Sequence, residues 1–322
     1  MAREMVTGAL SVVITGASAG VGRATALAFA RRGWNVALIA LPLDVADAAA
    51  VEAAAERVAR SFGGIDVWVN NAMVTVMSPV AAMSPEEFRR VTEVTYLGQV
   101  HGTMAALRQM RQRDQGVIVA VGSALSYRAI PLQSAYCAAK FAVRGFMDSL
   151  RVELLHDRSR IRLTMVQLPA VNTPQFEWAR NRMGERAQPV PPIHQPEAVG
   201  EAIFAAAVQP KREVWLGWPT LKAILGAMAV PGLADRILAR QGYSGQLTGE
   251  ALPAGRQDNL FRPVPGPHRT RGRFSSRASS RVHAIEPALL RAVIGGAVLA
   301  LPALAWMAGR RSGARSRPRL GG

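Results

Sequence analysis

Tyr136 and Lys140 stand four residues apart, so on a helix they share one face. An ammonium beside a phenol favours phenolate and lowers the tyrosine pKa, which suits proton transfer near neutral pH. Ser123 lies thirteen residues upstream of Tyr136, at the end of an apolar run, where its hydroxyl could hold a carbonyl oxygen. A second cluster lies near the N-terminus: Thr15-Gly16-Ala17-Ser18-Ala19-Gly20-Val21-Gly22. Glycines let a backbone turn tightly and come close to a phosphate. A helix beginning near Val21 would aim its N-terminal amides and positive dipole end at that phosphate. Each feature alone is common: the first as a packing pair, the second as an ordinary strand-to-helix turn. Together they describe proton transfer beside a bound phosphate ester.

The elements that must position them read as alternating strands and helices. Short apolar, β-branched runs at 10–15, 35–40, 65–72, 116–124, 161–169 and 212–218 suit buried parallel strands. Between them, 21–32, 46–60, 85–111, 135–156 and 196–208 read as helices. This alternation predicts an α/β fold, a Rossmann-like doubly wound parallel sheet in three α/β/α layers over residues 1–245.

The residues together resemble the classical short-chain dehydrogenase/reductase family. The match rests on the TGASAGVG turn, on Asn70-Asn71-Ala72 after a strand, on Ser123, on Tyr136-Cys137-Ala138-Ala139-Lys140, and on Pro169 to Thr173. It spans roughly residues 8–220. The resemblance implies hydride transfer between NAD or NADP and an alcohol or ketone, with NADP the favoured expectation. It implies that Tyr136 is the acid/base, that Lys140 binds the nicotinamide ribose and tunes Tyr136, and that Ser123 orients the substrate oxygen. It places Gly16, Gly20 and Gly22 around the pyrophosphate and counts Thr15, Ser18 and Val21 among the cofactor-binding residues. Asp44, Asn70 and Ala72 then fall near the adenosine, and Pro169 and Thr173 near the nicotinamide. Residues 174–195, with Phe176, Trp178 and Met183, fall where the family covers its substrate. Their apolar content leaves room for a lipophilic substrate. Ser126 and Tyr127 read as substrate-loop residues, and His101 and His156 as packed or solvated.

Three departures stand out. Thr95 occupies the place of an asparagine that supports a proton-relay water in the family. Met73 replaces the glycine of Asn-Asn-Ala-Gly. Most consequential, Ala40 runs straight into LPLDVAD, with Asp44 in the place of an adenine-contacting aspartate. The family's helix and further strand are missing between them. Neighbouring parallel strands need a crossover of about a dozen residues, so residues 35–45 can supply only one strand. The missing turn is also where the family selects NAD or NADP. A dehydrogenase-like scaffold with a damaged cofactor site is therefore the competing expectation.

Charge and composition bound the rest. The 322 residues carry a formal net charge of +17, almost all from arginine, since lysine occurs only at 140, 211 and 222. From Glu250 onward thirteen arginines face three carboxylates. No aromatic interleaving or recognition motif accompanies them, so nucleic acid is not an expected partner. A single cysteine, Cys137, excludes a disulfide framework, and five scattered histidines give no metal signature. Residues 246–286, rich in Pro, Gly, Arg and Ser, read as an irregular linker. Residues 292–309 carry no charge and arginines follow, so 287–309 is expected to be a membrane segment and 310–322 a basic tail. No secretion signal is read at the start, which places a membrane-associated catalytic domain on the cytoplasmic side. A homo-oligomer through the helices at 85–111 and 135–156 is a further expectation.

Overall fold

Strand β1, Ser11–Ile14, forms where the first apolar run lies, and all four of its residues are buried. The computed structural model describes residues 9–38, 43–266, 268–288 and 292. The chain continues through α1 (Gly20–Ala30), β2 (Asn35–Leu38), α2 (Ala48–Phe62) and β3 (Val67–Asn70). Next come α3 (Pro85–Thr92), α4 (Gly98–Arg111), β4 (Val117–Ser123), α5 (Ser134–His156) and β5 (Arg162–Leu168). The last elements are α6 (Pro196–Val208), β6 (Glu213–Leu216), α7 (Gly217–Ala229), α8 (Pro231–Gln241) and β7 (Ala284–Ile285).

Local chemistry sets several boundaries. Asp47 caps α2 by accepting from the Ala50 amide, and Gly63 ends it with φ of 74°. Ser84 and Glu87 form a capping box on α3, with Pro85 in its first turn. The expected single helix over 85–111 is interrupted by a π-helical turn at Glu93–Leu97.

The seven strands run in the order β2-β1-β3-β4-β5-β6-β7, all parallel except β7, which lies antiparallel on β6. Strand alternation divides the core into two layers. Val13, Trp68, Ile118 and Met165 face α2, α4 and α5, packing with Val51, Met110 and Met147. Val12, Val69, Val119 and Val166 face α1 and α6, packing with Phe29, Val199 and Ile203. Each such fully buried side chain contributes about 1.5–3 kcal/mol, so the sheet is the rigid base of everything at its edge. The order reverses between β1 and β3, which opens a crevice at the carboxyl ends of those strands. On the far side the sheet ends at β2, and among the described residues no strand lies beyond it. This is the consequence of one strand where the family has two.

The linker expectation for 246–286 is corrected. One compact unit runs to Ile285. Within it, Leu247–Ala251 pairs with Glu185–Ala187, and Ala278–Ser279 pairs with Ile193–His194. Leu260 and Phe274 are buried. Single apolar anchors and long-range backbone pairing hold the stretch, which leaves no periodicity for a sequence to display. The expected membrane segment and basic tail lie outside the described residues apart from Pro287, Ala288 and Ala292. Among the described residues no helix is long and apolar enough to cross a membrane.

Candidate active site

Three strand ends and one helix build the site. β4 ends at Ser123, which is 8% exposed. The Ser123 hydroxyl accepts from the Leu125 amide at 3.1 Å, while its own amide donates to Gln167 Oε1 at 2.7 Å. Gln167 Nε2 donates to Glu213 Oε1 at 2.8 Å, and the Tyr127 hydroxyl donates to the same carboxylate at 2.7 Å. An ionised carboxylate only accepts, so it fixes which way the Gln167 amide faces. Gly122 leaves the room: a Cβ there would stand 2.3 Å from Gln167 Oε1. Gln167 and Glu213, on β5 and β6, thus position the end of β4.

Helix α5 presents Tyr136 and Lys140 to the same edge. Lys140 is buried, with Nζ donating to the Val121 carbonyl at 2.7 Å and standing 5.5 Å from the Tyr136 ring centroid. Burial pushes the Lys140 ammonium down to about 7. Burial likewise pushes the Tyr136 phenol well above its ordinary value, against the pull of its hydrogen bond with Ser123. The expectation of a lysine-lowered tyrosine is therefore reversed in the free protein, because desolvation favours the uncharged phenol. Burial thus favours the uncharged form of both groups in the free protein.

The glycine turn lies at the end of β1. Gly16 and Gly20 hold φ of 64° and 55°, a region that glycine enters freely. A Cβ on Gly22 would stand 2.3 Å from the Gly16 carbonyl, and one on Gly16 would stand 2.8 Å from Ala72 Cα. Thr15 braces the turn from beneath: its hydroxyl accepts from the amides of Asn71 and Ala72 at 2.9 and 3.1 Å. Ser18 is exposed, and Val21 and Gly22 are buried in the first turn of α1. After β5, Pro169 is half-buried and leads to Thr173, whose Cγ2 would lie 3.2 Å from a Cβ on Gly20. A turn in which Gly16 and Gly22 leave no room for a Cβ, at the start of an eleven-residue helix, fits a dinucleotide pyrophosphate.

Other expected residues are placed elsewhere. Asn70 is fully buried and its side chain turns into the sheet, accepting from Trp68 Nε1 and donating to Thr103, each at 2.8 Å. Asn71 meets the turn instead, with Nδ2 donating to the carbonyls of Thr15 and Gly16 at 3.0 and 3.1 Å. Asp44 is committed to Arg90 at 2.6 Å and to the Ala46 amide at 3.0 Å. Ser126 and Tyr127 are not substrate-loop groups: Ser126 is buried against the Ser123 amide, and Tyr127 points to Glu213. The Thr95 hydroxyl is engaged with both the amide and the carbonyl of Val74, at 3.0 and 2.8 Å, inside the π-helical turn. One turn on, buried Gln99 shares the Val121 carbonyl with Lys140. Cys137 is buried, and burial pushes its thiol up to about 11.

The stretch at 174–195 is anchored by apolar packing and ion pairs. Phe176 and Met183 pack on Met77, Leu132 and Ala187. Arg180 and Arg182 reach buried Glu87 at 3.1 and 2.8 Å.

The fold and site define a dinucleotide-binding α/β protein, and comparison with known proteins agrees. Residues 38–183 match the model of the short chain dehydrogenase family. The chain belongs to this family of oxidoreductases. It is 30% identical to an uncharacterized oxidoreductase, YxnA, of Bacillus subtilis, over 93% of this chain and 90% of that protein. It is 30% identical to dehydrogenase/reductase SDR family member 7B of Bos taurus, over 71% of this chain and 80% of that protein. Among solved structures it resembles a short-chain dehydrogenase from Streptomyces avermitilis, with a TM-score of 0.60 and 25% identity over 74% of this chain and 98% of that one. It also resembles an alcohol dehydrogenase from Thermococcus sibiricus complexed with 5-hydroxy-NADP, with a TM-score of 0.54 and 26% identity over 64% of this chain and 95% of that one.

Proposed function

We propose that the protein is an NADP- or NAD-dependent oxidoreductase acting on an alcohol or its ketone. The observation that carries the reading is the meeting of Ser123, Tyr136 and Lys140 at the same strand ends as a glycine turn that excludes side chains. The nicotinamide supplies or accepts the hydride when bound. Tyr136 gives its proton to the substrate oxygen in reduction and takes it back in oxidation, and Ser123 donates a hydrogen bond to that oxygen. A partly buried phenol whose pKa desolvation raises is in the right state to be the proton donor. Lys140, a few ångströms behind the ring, carries the charge that balances a phenolate. The pyrophosphate would be held by the turn from Gly16 to Gly22, with Thr173 against Gly20. The relative complexed with a hydroxy-NADP favours NADP. The partly exposed apolar side chains of Phe176 and Met183 favour a lipophilic substrate.

A weak, dehydrogenase-like scaffold is the second reading. The sheet edge at β2 favours it, because an adenine pocket cannot be shared with a further strand. One experiment separates the two. The protein is incubated with NADPH or NADH and a panel of medium-chain and cyclic ketones, following nicotinamide absorbance beside the Tyr136→Phe variant. Turnover by the native protein that vanishes in the variant is the expected result. Equal rates in both would contradict the reading.

A further inference from the structure

His268 and Arg269 lie against the glycine turn and the first turn of α1. The Gly20 amide, first of the helix, donates to the Arg269 carbonyl at 3.1 Å, and the Arg23 guanidinium is spent on the His268 carbonyl. The N-terminal amides of a helix have no partner within it and are what a phosphate would meet. Here one of them, and a cation one turn further on, already hold backbone carbonyls of the chain itself. Gly272 is fitted tightly behind: a Cβ there would lie 2.5 Å from the Thr173 carbonyl.

The two halves of residues 268–279 are held very differently. From Phe274 to Ser279 the chain is tied to the buried side chain of Asn172 and the backbone of buried Gln195. The Phe274 amide donates to Asn172 Oδ1 at 3.0 Å, Asn172 Nδ2 reaches Ser275 Oγ at 3.1 Å, and the Gln195 amide reaches the Ser279 carbonyl at 2.8 Å. Phe274 is 5% exposed and packs edge-on against Phe176. From 268 to 272 the anchors are the Gly272 amide on the Asn172 carbonyl at 3.1 Å, the His268 ring edge-on to Trp178, and two ion pairs with exposed arginines and partly buried carboxylates, Arg269 with Glu177 and Arg271 with Glu197, the latter at 2.8 Å. Exposed pairs of this kind add little to stability. The part that covers the turn is therefore the part that can leave, while Phe274 stays as its fixed end.

We infer that residues 268–272 form an autoinhibitory strap that competes with the dinucleotide for the glycine turn. Binding requires the strap to lift, so apparent affinity is the intrinsic affinity scaled by the open fraction. The inference rests on the dinucleotide reading above, and its test keeps the two apart.

The test loosens the strap from the side that bears no arginine. Glu177→Gln combined with Glu197→Gln removes both ion pairs and leaves every strap residue intact. In the full chain the double variant should bind NADPH roughly three- to ten-fold more tightly than the native protein, through a faster on-rate. Saturating NADPH should also speed tryptic cleavage after Arg269 and Arg271. Unchanged or weaker binding in the double variant, or protection of those arginines by NADPH, would overturn the strap. Failure of both proteins to bind either nucleotide while still unfolding cooperatively would overturn the dinucleotide reading, and the strap with it.

Discussion

The half of the strand-end crevice proposed for proton transfer and the half proposed for the cofactor are built on opposite principles. Ser123, Tyr136 and Lys140 rest on buried contacts: the Gln167–Glu213–Tyr127 network behind β4, and the Val121 carbonyl under Lys140. The glycine turn is shaped by absent side chains and covered by chain held with exposed ion pairs. Proton transfer needs atoms fixed to fractions of an ångström. A cofactor that must enter and leave needs a mouth that opens.

The contrast predicts where substitutions act. Tyr136→Phe should lower turnover by about 10²–10⁴-fold, the usual contribution of a general acid. Dinucleotide affinity should stay near native, and a parallel loss of binding would show that the two halves are not separable. Gly22→Ala should do the reverse, since its Cβ would collide with the Gly16 carbonyl. Apparent NADPH affinity should fall at least about ten-fold, with about 1–3 kcal/mol lost from stability, as fluorescence titration and urea melts would report.

Gln167→Leu should have an intermediate effect. It leaves the buried Ser123 amide and the Glu213 carboxylate each short of a partner, at a cost of about 1–3 kcal/mol. Turnover should drop about ten-fold, the equivalent of some 1.4 kcal/mol, while the dinucleotide Kd is unaltered. A variant with native turnover would remove Gln167 from the positioning role.

The smallest effect concerns pH. Lys140 is brought by burial from 10.5 to about 7 in the folded protein. Between those values the unfolded chain holds the proton that the native lysine has released. Stability therefore rises with pH across this window, on this group's account. The Tm should climb by several degrees from pH 7 to 9 in the native protein and less steeply in Lys140→Met. A rise of equal slope in both would assign the dependence to other groups.

Much of the catalytic half is legible in the sequence, because a helix fixes which residues share a face. The four-residue spacing puts Tyr136 and Lys140 together, and the end of an apolar strand puts Ser123 beside them. The single strand at 35–38 on the sheet edge also follows from the join after Ala40. Strand parity could have separated Asn70 from Asn71. Trp68 and Asn70 lie two apart on one face, and that face is buried beneath α4. The sign of the pKa shifts was not legible, since it depends on desolvation and spacing carries no burial. Nor was the strap. Its fixed end, Phe274, is a single apolar residue in a Pro- and Arg-rich stretch, and its partner Asn172 lies 102 positions away in the chain.

The most direct measurement is a titration of the full chain with NADPH and with NADH, following nicotinamide fluorescence and tyrosine-independent thermal unfolding together. Saturable binding, tighter for NADPH, with a concentration-dependent rise in Tm, is the predicted result. A cooperatively folded protein that binds neither nucleotide and shows no shift in Tm would contradict the account.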